Sequence, residues 1–331
     1  MTLTERGPGG PPAHAPHAGF TPVPACWVCG GASLAPVHTA IFEFQEYARQ
    51  DPELARYTGA TVGIARCESC GFGQPEAMPA LPDYFGRMYD QRWSAGWMET
   101  EFVSGYKDLI FRTVLRGLER RIPAERRTLL DLGAHVGRLM HVAAGRGWAA
   151  EGVELNPSTA AYAAKVTGLP VHRMDARELS STGRRWGAVT LIDVLEHIAE
   201  PVAALEGVRG VLEPGGWIAV KVPHGRVQLR KEELRARLRP GYRATVADNL
   251  VHVNHFGVRS LALALQRAGF ADVRVEIAAP ELVPQVGPKA MLAKAVRLGA
   301  WHLGRVLPGG VESMLSLHLQ AYARRAEEAR G

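Results

Sequence analysis

The chain has 331 residues, 47% of them hydrophobic, with 39 Lys and Arg against 33 Asp and Glu and a formal charge of +6. This length suits a medium α/β domain with an accessory module, and the apolar content is enough for a sizeable core. The basic excess is too small to argue for nucleic acid as a partner, and no apolar run is long enough to span a bilayer.

Residues 1–22 are rich in Pro, Gly, Ala and His and carry almost nothing that packs, so they are expected to be disordered. They hold no hydrophobic signal segment, which makes the cytoplasm, where thiols stay reduced, the default compartment. All four cysteines then occur as two pairs, Cys26-x-x-Cys29-Gly and Cys67-x-x-Cys70-Gly. Two thiolate pairs make the tetrahedral sulfur set of a closed structural zinc site, with Cys26, Cys29, Cys67 and Cys70 as ligands. The loop between the pairs is longer than usual for a zinc finger and has room for a hairpin with a helical insertion near Phe42–Tyr57. Disulfides would need an oxidising compartment, and a redox Cys-x-x-Cys would need a thioredoxin-like unit that is absent. Residues 23–80 are therefore expected to form a small zinc-binding module, and 81–125 a linker with a lead-in helix. In that helix Phe102, Tyr106, Leu109, Ile110, Val114 and Leu118 recur at helical spacing.

From Thr128 onward, short apolar runs (TLLDLG, AAEGVEL, PVHRM, GAVTLIDV, GWIAVKV) alternate with helical stretches such as Pro157–Thr167, capped by Asn156, and Pro201–Leu212. That alternation predicts a doubly wound α/β fold, a mostly parallel sheet with helices on both faces. Later, DVRVEIAA and MLSLHLQAY alternate with period two. In the second, Leu315, Leu317 and Leu319 face one way and Ser316, His318 and Gln320 the other, which predicts a half-exposed antiparallel edge strand.

The segment LLDLGAHVGRLM carries the strongest chemical signal: a strand ending in Asp131, a turn flanked by Gly133 and Gly137, then a helix. Ligands of such sheets sit at the carboxyl ends of the strands, and glycines let a ligand approach the backbone. The dinucleotide spelling G-x-G-x-x-G fails, because His135 and Arg138 stand at its second and third glycines. Glu154 ends the second strand, where a carboxylate accepts hydrogen bonds from both hydroxyls of a ribose.

From about Thr128 to Arg324 these blocks resemble, in order and spacing, the class I S-adenosylmethionine-dependent methyltransferases, in particular their ubiquinone-biosynthesis and natural-product branches. LLDLGAHVG matches the cofactor loop, GVELNP the ribose-binding strand end, RMDARELS the acidic turn on the adenine side, VTLIDVLEHIAEP the fourth-strand block, LEPGGWIAVKVP the fifth, and VNHFGVRSLALALQRAGF a late helix. The resemblance implies a seven-stranded Rossmann-like domain over 126–327. It also implies a cofactor site in which Asp131, Gly133, Ala134 and Gly137 line the methionine end of S-adenosylmethionine. Glu154 would hold the ribose, Leu155 would pack near the adenine, Asp175 and Ala176 would meet the adenine, and Asp193 would close the methionine side. His135 departs from the family's usual glycine, and its imidazole either crowds the cofactor or points to solvent. The cysteine pairs, followed by YFGRMYDQRW, resemble the N-terminal zinc-binding module ahead of many bacterial methyltransferases of sugar and antibiotic pathways.

Methyl transfer from a sulfonium is largely a matter of positioning, and an oxygen or carbon acceptor usually also needs a base. His255, ahead of the late helix, and His197, after the fourth strand, are the leading candidates, with His224, His252 and Glu196 behind them. The expected partner is a small-molecule acceptor (a sugar, natural product or quinone precursor, free or carrier-bound), with O- or C-methylation favoured. Membrane contact is not expected, and the oligomeric state stays open. The basic segment 226–243 reads as an inserted helix where a substrate lid would lie, or as a solvated face. Lys289–Leu307 reads as a helix that covers the sheet, or one that rests on a lipid-like surface. Two other readings stay open: a non-catalytic zinc-ribbon and nucleotide-fold scaffold, and a nicotinamide-dependent oxidoreductase, against which the missing third glycine counts.

Overall fold

The computed structural model describes residues 19–45, 49–90, 95–174, 178–179, 183–239, 242, 244–245, 252–282 and 287–327. The expected disorder of residues 1–22 lies almost wholly outside them.

The N-terminal part is built on strands β1 (Phe20–Pro22), β2 (Leu34–Ile41), β3 (Thr61–Cys67), β4 (Gly73–Pro75) and β5 (Ala77–Pro79), with α1 (Pro52–Ala55) inserted between β2 and β3. β2 and β3 form an antiparallel hairpin, paired from Leu34–Cys67 to Ile41–Thr61, and β4 adds antiparallel to β3. Asp51 caps α1 by accepting from the amide of Leu54, and Pro52 occupies the first turn. Helix α2 (Tyr84–Asp90) follows. Its Tyr84 and Met88 are buried with Phe42, Phe44, Leu54, Tyr57 and Ile64.

The expected single lead-in helix is two helices, α3 (Ala95–Ser104) and α4 (Asp108–Glu119), because Gly105 sits at φ +57° and breaks the run. α4 buries Ile110, Val114, Leu115 and Leu118 against the main sheet. That sheet has seven strands in the order β12-β13-β10-β9-β6-β7-β8, once β6 (Thr128–Leu132), β7 (Ala149–Val153), β8 (Val171–His172), β9 (Trp186–Ile192), β10 (Leu212–Pro223), β12 (Phe270–Ile277) and β13 (His318–Arg325) are numbered in chain order. β6 to β10 run parallel and β13 runs antiparallel to both its neighbours. Helices α5 (Arg138–Ala144), α6 (Pro157–Thr167), α7 (Pro201–Val211) and α9 (Val258–Arg267) join them. Helices on both faces explain why β6 and β9 are continuous apolar runs instead of alternating ones.

The two alternating segments end differently. β12 is the edge strand and keeps its alternation, with exposed residues at every second position. β13 is antiparallel as expected but not an edge. It lies between β10 and β12, and Leu319, Gln320 and Ala321 are all buried. Its buried Gln320 is held inside by a hydrogen bond: the side-chain amide donates to Glu276 at 3.2 Å.

Between β10 and α9 the chain returns to the N-terminal part. Helix α8 (Gly225–Leu238) packs on β2 and β4, and β11 (Ala244–Thr245) pairs parallel to β2 as the fourth strand of its sheet. Leu229 of α8 and Val253 complete the apolar cluster around Phe42 and Ile64. The cysteines also share a buried cluster with the large domain, in which the Phe72 and Phe256 ring centroids are 5.0 Å apart. Helix α10 (Pro288–Val306) buries Trp301 and Gly304, but Met291, Leu292, Val296 and Val306 stay exposed, so it covers the sheet with only part of its surface.

Candidate active site

The strand order reverses between β6 and β9, and a cavity of about 1130 Å³ opens at the carboxyl ends of these strands. Pockets for one drug-sized ligand hold roughly 300–1,000 Å³, so this one has room for two ligands side by side.

One half is built by the loop after β6. Gly133, His135 and Gly137 all have positive φ, +75°, +51° and +79°. A Cβ on Gly133 would stand 2.4 Å from Val194 Cγ2, so glycine is required there by space as well as by conformation. The loop closes onto β7 through the amides of Gly133 and Ala134, which both donate to the Val153 carbonyl. Glu154, just beyond β7, accepts from the amides of His135 (2.8 Å) and Asn156 (2.9 Å), so one carboxylate ties the loop to the start of α6. Burial raises the pKa of Glu154, with these amides opposing. Asp131 accepts from Thr190 Oγ at 2.7 Å and is buried. Desolvation outweighs that bond, and with Glu154 nearby its pKa is pushed up to about 7.

The αL geometry at His135 accounts for the glycine usual at this position. Here an imidazole is carried at φ +51°, a conformation that strains an ordinary side chain. The ring does not point to solvent. It lies edge-on against Trp97 of α3, with centroids 4.9 Å apart, and burial lowers its pKa to about 4. Both residues line the cavity, so α3 forms its roof. Leu155 stands at the rim, 57% exposed. Asp175 and Ala176, expected on the adenine side, lie outside the described residues.

Asp193, just after β9, lines the same cavity. Its carboxylate is paired with Lys221 and, at 3.2 Å, with Lys107; Glu281 lies 3.8 and 4.0 Å from the same two ammonium groups. Burial alone would raise the Asp193 pKa, but the two lysines outweigh it and hold the carboxyl well below the usual range. The expectation for Asp193 did not include these lysines. The available signal was Lys221 itself, a charge inside the apolar run GWIAVKV, and it is fully buried.

The second half is built by residues that follow Asp193 in the chain. After β9 a 3-10 turn, Leu195–His197, presents Glu196 and His197, and His252 approaches from the segment before α9. The His197 and His252 ring centroids are 4.8 Å apart. The two backbones are clamped by Asn254, whose side-chain amide donates to the carbonyls of Leu195 (2.7 Å) and Ile198 (2.6 Å) and whose own amide donates to the Glu196 carbonyl. Desolvation, helped by Asp193, pushes the Glu196 carboxyl up to about 8. Arg87 of α2 and Gln228 and Lys231 of α8 close this half from the N-terminal side. The expected lid position of the inserted helix is thus occupied by a packed wall.

His255 is not among the residues lining the cavity. Its backbone pairs with Gly73, its ring is fully buried with Nδ1 3.3 Å from Gln228, and desolvation lowers its pKa to about 3. It was singled out because it precedes the late helix, yet the bridge to β4 turns it into the joint between the two parts of the chain. His224 is likewise buried away from the cavity, against Ser316.

The cysteine pairs meet at the far side of this joint. Sγ of Cys26 is 3.6 Å from that of Cys70, and Sγ of Cys29 is 3.4 Å from that of Cys67. The four sulfurs all lie within 4.8 Å of one another, and none is in a disulfide. No helix among the described residues is long and apolar enough to cross a membrane.

A family model described as "Methyltransferase domain" matches residues 104–275. Among curated proteins, the ubiquinone biosynthesis O-methyltransferase of Cereibacter sphaeroides ATCC 17029 is 33% identical over 106 residues, 30% of this chain and 43% of that protein. The one from Paraburkholderia phytofirmans is 28% identical over 98 residues, 28% of this chain and 42% of that protein. The chain thus matches less than half the length of these relatives. A solved S-adenosylmethionine-dependent methyltransferase from Archaeoglobus fulgidus aligns over 70% of this chain and 100% of its own, with 15% identity and a TM-score of 0.46.

Proposed function

Because the chain belongs to the methyltransferase-domain family and is an S-adenosylmethionine-dependent enzyme, we propose that it methylates an oxygen of a small molecule held beside Glu196, His197 and His252. One observation carries this reading. The Gly133–Glu154 cradle and the Glu196–His197–His252 cluster open on the same cavity, so a donor and an acceptor would meet inside it. The partial likeness to ubiquinone biosynthesis O-methyltransferases favours oxygen over carbon as the acceptor atom and a quinone precursor over a sugar.

S-adenosylmethionine supplies a methyl group already activated on a sulfonium. The fit to this chain rests on two features: the positive-φ loop, whose Gly133 and Ala134 line the cavity, and the carboxylate of Glu154, which lines it too. In this reading Gly133, Ala134 and Gly137 bed the donor, with Asp131 supporting the loop from below. Glu154 accepts from its ribose hydroxyls, and Leu155 packs at the adenine end. Asp193, held ionised by Lys107 and Lys221, faces the cationic methionine end. Asp175 and Ala176 are proposed for the adenine on the family pattern alone. The Trp97 and His135 roof keeps water out, and His197, which lines the second half, takes the acceptor's proton.

The same reading gives the four cysteines a structural zinc ion. Four sulfurs within 4.8 Å of one another support it, as thiolates so close repel unless a cation lies between them. Metal analysis of reduced protein should find about one zinc per chain, lost with Cys67→Ser; zinc-free, fully folded protein would end this assignment.

The test of the methyltransferase reading is twofold. Titration calorimetry should show S-adenosylhomocysteine binding, and a labelled-methyl assay should show transfer to a phenolic or quinol acceptor. Failure to bind S-adenosylhomocysteine at millimolar concentration would remove the cofactor site. Binding with transfer only to a sugar hydroxyl, or to carbon, would replace the acceptor.

A further inference from the structure

Helix α10 presents apolar side chains to solvent along one whole face. Trp301 and Gly304 turn toward the sheet and are buried, and the Trp301 indole donates to the Ile277 carbonyl at 3.4 Å. Leu292, Val296, Leu303 and Val306 recur at spacings of four, seven and three residues, which places them on the opposite side as a single stripe, 49% to 77% exposed. Apolar residues scattered singly over a surface need no explanation, but a continuous stripe marks a contact. The same helix carries Lys289, Lys294, Arg297 and Arg305, and its sequence holds no Asp or Glu. It also stands beside the cavity. Arg297 donates to the carbonyl of Glu281 at 3.3 Å, and Glu281 lines the cavity. In the segment after the helix Leu307, Met314 and Leu317 are exposed as well, and Leu317 lines the cavity.

We propose that this face of α10 docks on a bilayer bearing anionic headgroups, with the helix lying along the surface. The sequence leaves α10 between covering the sheet and resting on lipid; it does both, one with each face. An apolar stripe on a helix whose every charge is positive suits the interface of an anionic membrane, where apolar burial and cation attraction add. A second copy of the chain fits less well. It would bring two such cationic helices together, and ~28 Å of helix about 10 Å wide offers only roughly 300 Å², against about 800 Å² per partner in a stable complex. The contact is peripheral, since α10 is not apolar enough to cross a membrane. Its place beside Glu281 and Leu317 brings the cavity close to the bilayer, so that an apolar acceptor enters from lipid. That purpose rests on the methyl-transfer reading, but the lipid contact itself does not.

The test is flotation of the full-length protein with vesicles, either of phosphatidylcholine alone or of phosphatidylcholine and phosphatidylglycerol in equal parts. The expected result is binding at least ~10-fold stronger to the anionic vesicles, weakened by added salt. The double variant Leu292→Glu, Leu303→Glu should bind them at least ~10-fold more weakly, with the melt and the S-adenosylhomocysteine affinity of the parent, because both side chains stand in solvent. Val306→Glu, at the most exposed position of the stripe, is the milder companion should the double variant melt low. Equal binding to both vesicles, binding to neither, or unchanged binding by these variants would each overturn the proposal. A lipid-free dimer of the parent that the same variants abolish would overturn it too, and would give the face to a second copy. If vesicles bind as expected but S-adenosylhomocysteine does not, the docking surface stands and the cofactor site falls. The opposite pattern removes the docking surface alone.

Discussion

Glu154→Ala should weaken S-adenosylhomocysteine binding about 100-fold while leaving the fold intact. In the free chain the carboxylate accepts from two backbone amides, His135 at 2.8 Å and Asn156 at 2.9 Å. It also faces the cavity, where it would take the two ribose hydroxyls. A hydrogen bond to a charged group contributes about 1.5–3 kcal/mol, so losing two to the ligand removes about 3 kcal/mol at the low end, or roughly 100-fold in Kd. The cost to the fold is smaller. Cavity water can replace the carboxylate at both amides, and the variant is relieved of a carboxylate that burial already disfavours. A thermal midpoint within a few degrees of the parent is expected, since about 1 kcal/mol corresponds to roughly 2–4 °C for a domain of this size. Glu154→Gln is the companion variant, keeping the shape and losing the charge, and should fall between. The assay is titration calorimetry at fixed pH and salt, with thermal melts alongside. A Kd for Glu154→Ala within about threefold of the parent would refute the ribose assignment and the placement of the donor with it.

Asp131 gives a prediction in pH. Burial pushes its pKa in the folded chain up to about 7, well above that of an aspartate in water. The folded chain therefore keeps a proton there that the unfolded chain has lost, and stability falls as pH rises from about 4 to 7. Asp131→Asn should remove that slope, on the order of a few kcal/mol across the window, so melts of parent and variant that stay parallel in pH would contradict it. His197→Ala and His255→Ala should separate cleanly: the first is expected to lower kcat about 10²–10⁴-fold with an unchanged melt, the second to lower stability by about 2–4 kcal/mol because its buried ring fills the joint. A loss of kcat in folded His255→Ala at temperatures well below its melt would reverse that assignment. Finally, a Cβ on Gly117 of α4 would stand 1.9 Å from the Tyr322 hydroxyl of β13. The ring carbon Cζ would stand at 2.3 Å as well, so Gly117→Ala should destabilise by about 1–3 kcal/mol and be relieved by Tyr322→Leu but not by Tyr322→Phe; equal melts of the two double mutants would show that the clash is relieved elsewhere.

What the bare sequence disclosed, and what it hid, follows from how far each feature reaches along the chain. The parallel strands and the Gly133–Gly137 turn announce themselves within a few residues. Apolar runs and positive-φ glycines are local requirements of a doubly covered sheet and a tight loop. β13 misled because alternation reports the chemistry of side chains and not their surroundings. Gln320 reads as solvent-facing, but it is buried and its side-chain amide donates to Glu276. His255 misled for a related reason: the contact that decides its role is with Gly73, far away in sequence. The lysines around Asp193 also come from distant elements, α4's entry and β10, and only the oddity of Lys221 within a strand hinted at them. The boundary between the two parts of the chain was the least visible, because α8 and β11, encoded inside the large domain, lie in the small one.

That last arrangement bears on how the protein is made. Phe42, Phe44 and Ile64 leave the ribosome early, yet Leu229 and Val253, which complete their packing, come more than a hundred residues later. At about 5–20 residues per second, these apolar side chains wait on the order of ten seconds for their cover. During synthesis the front of the nascent chain is therefore a natural client for chaperones, and it reaches its final form only when the rear of the polypeptide arrives to close it.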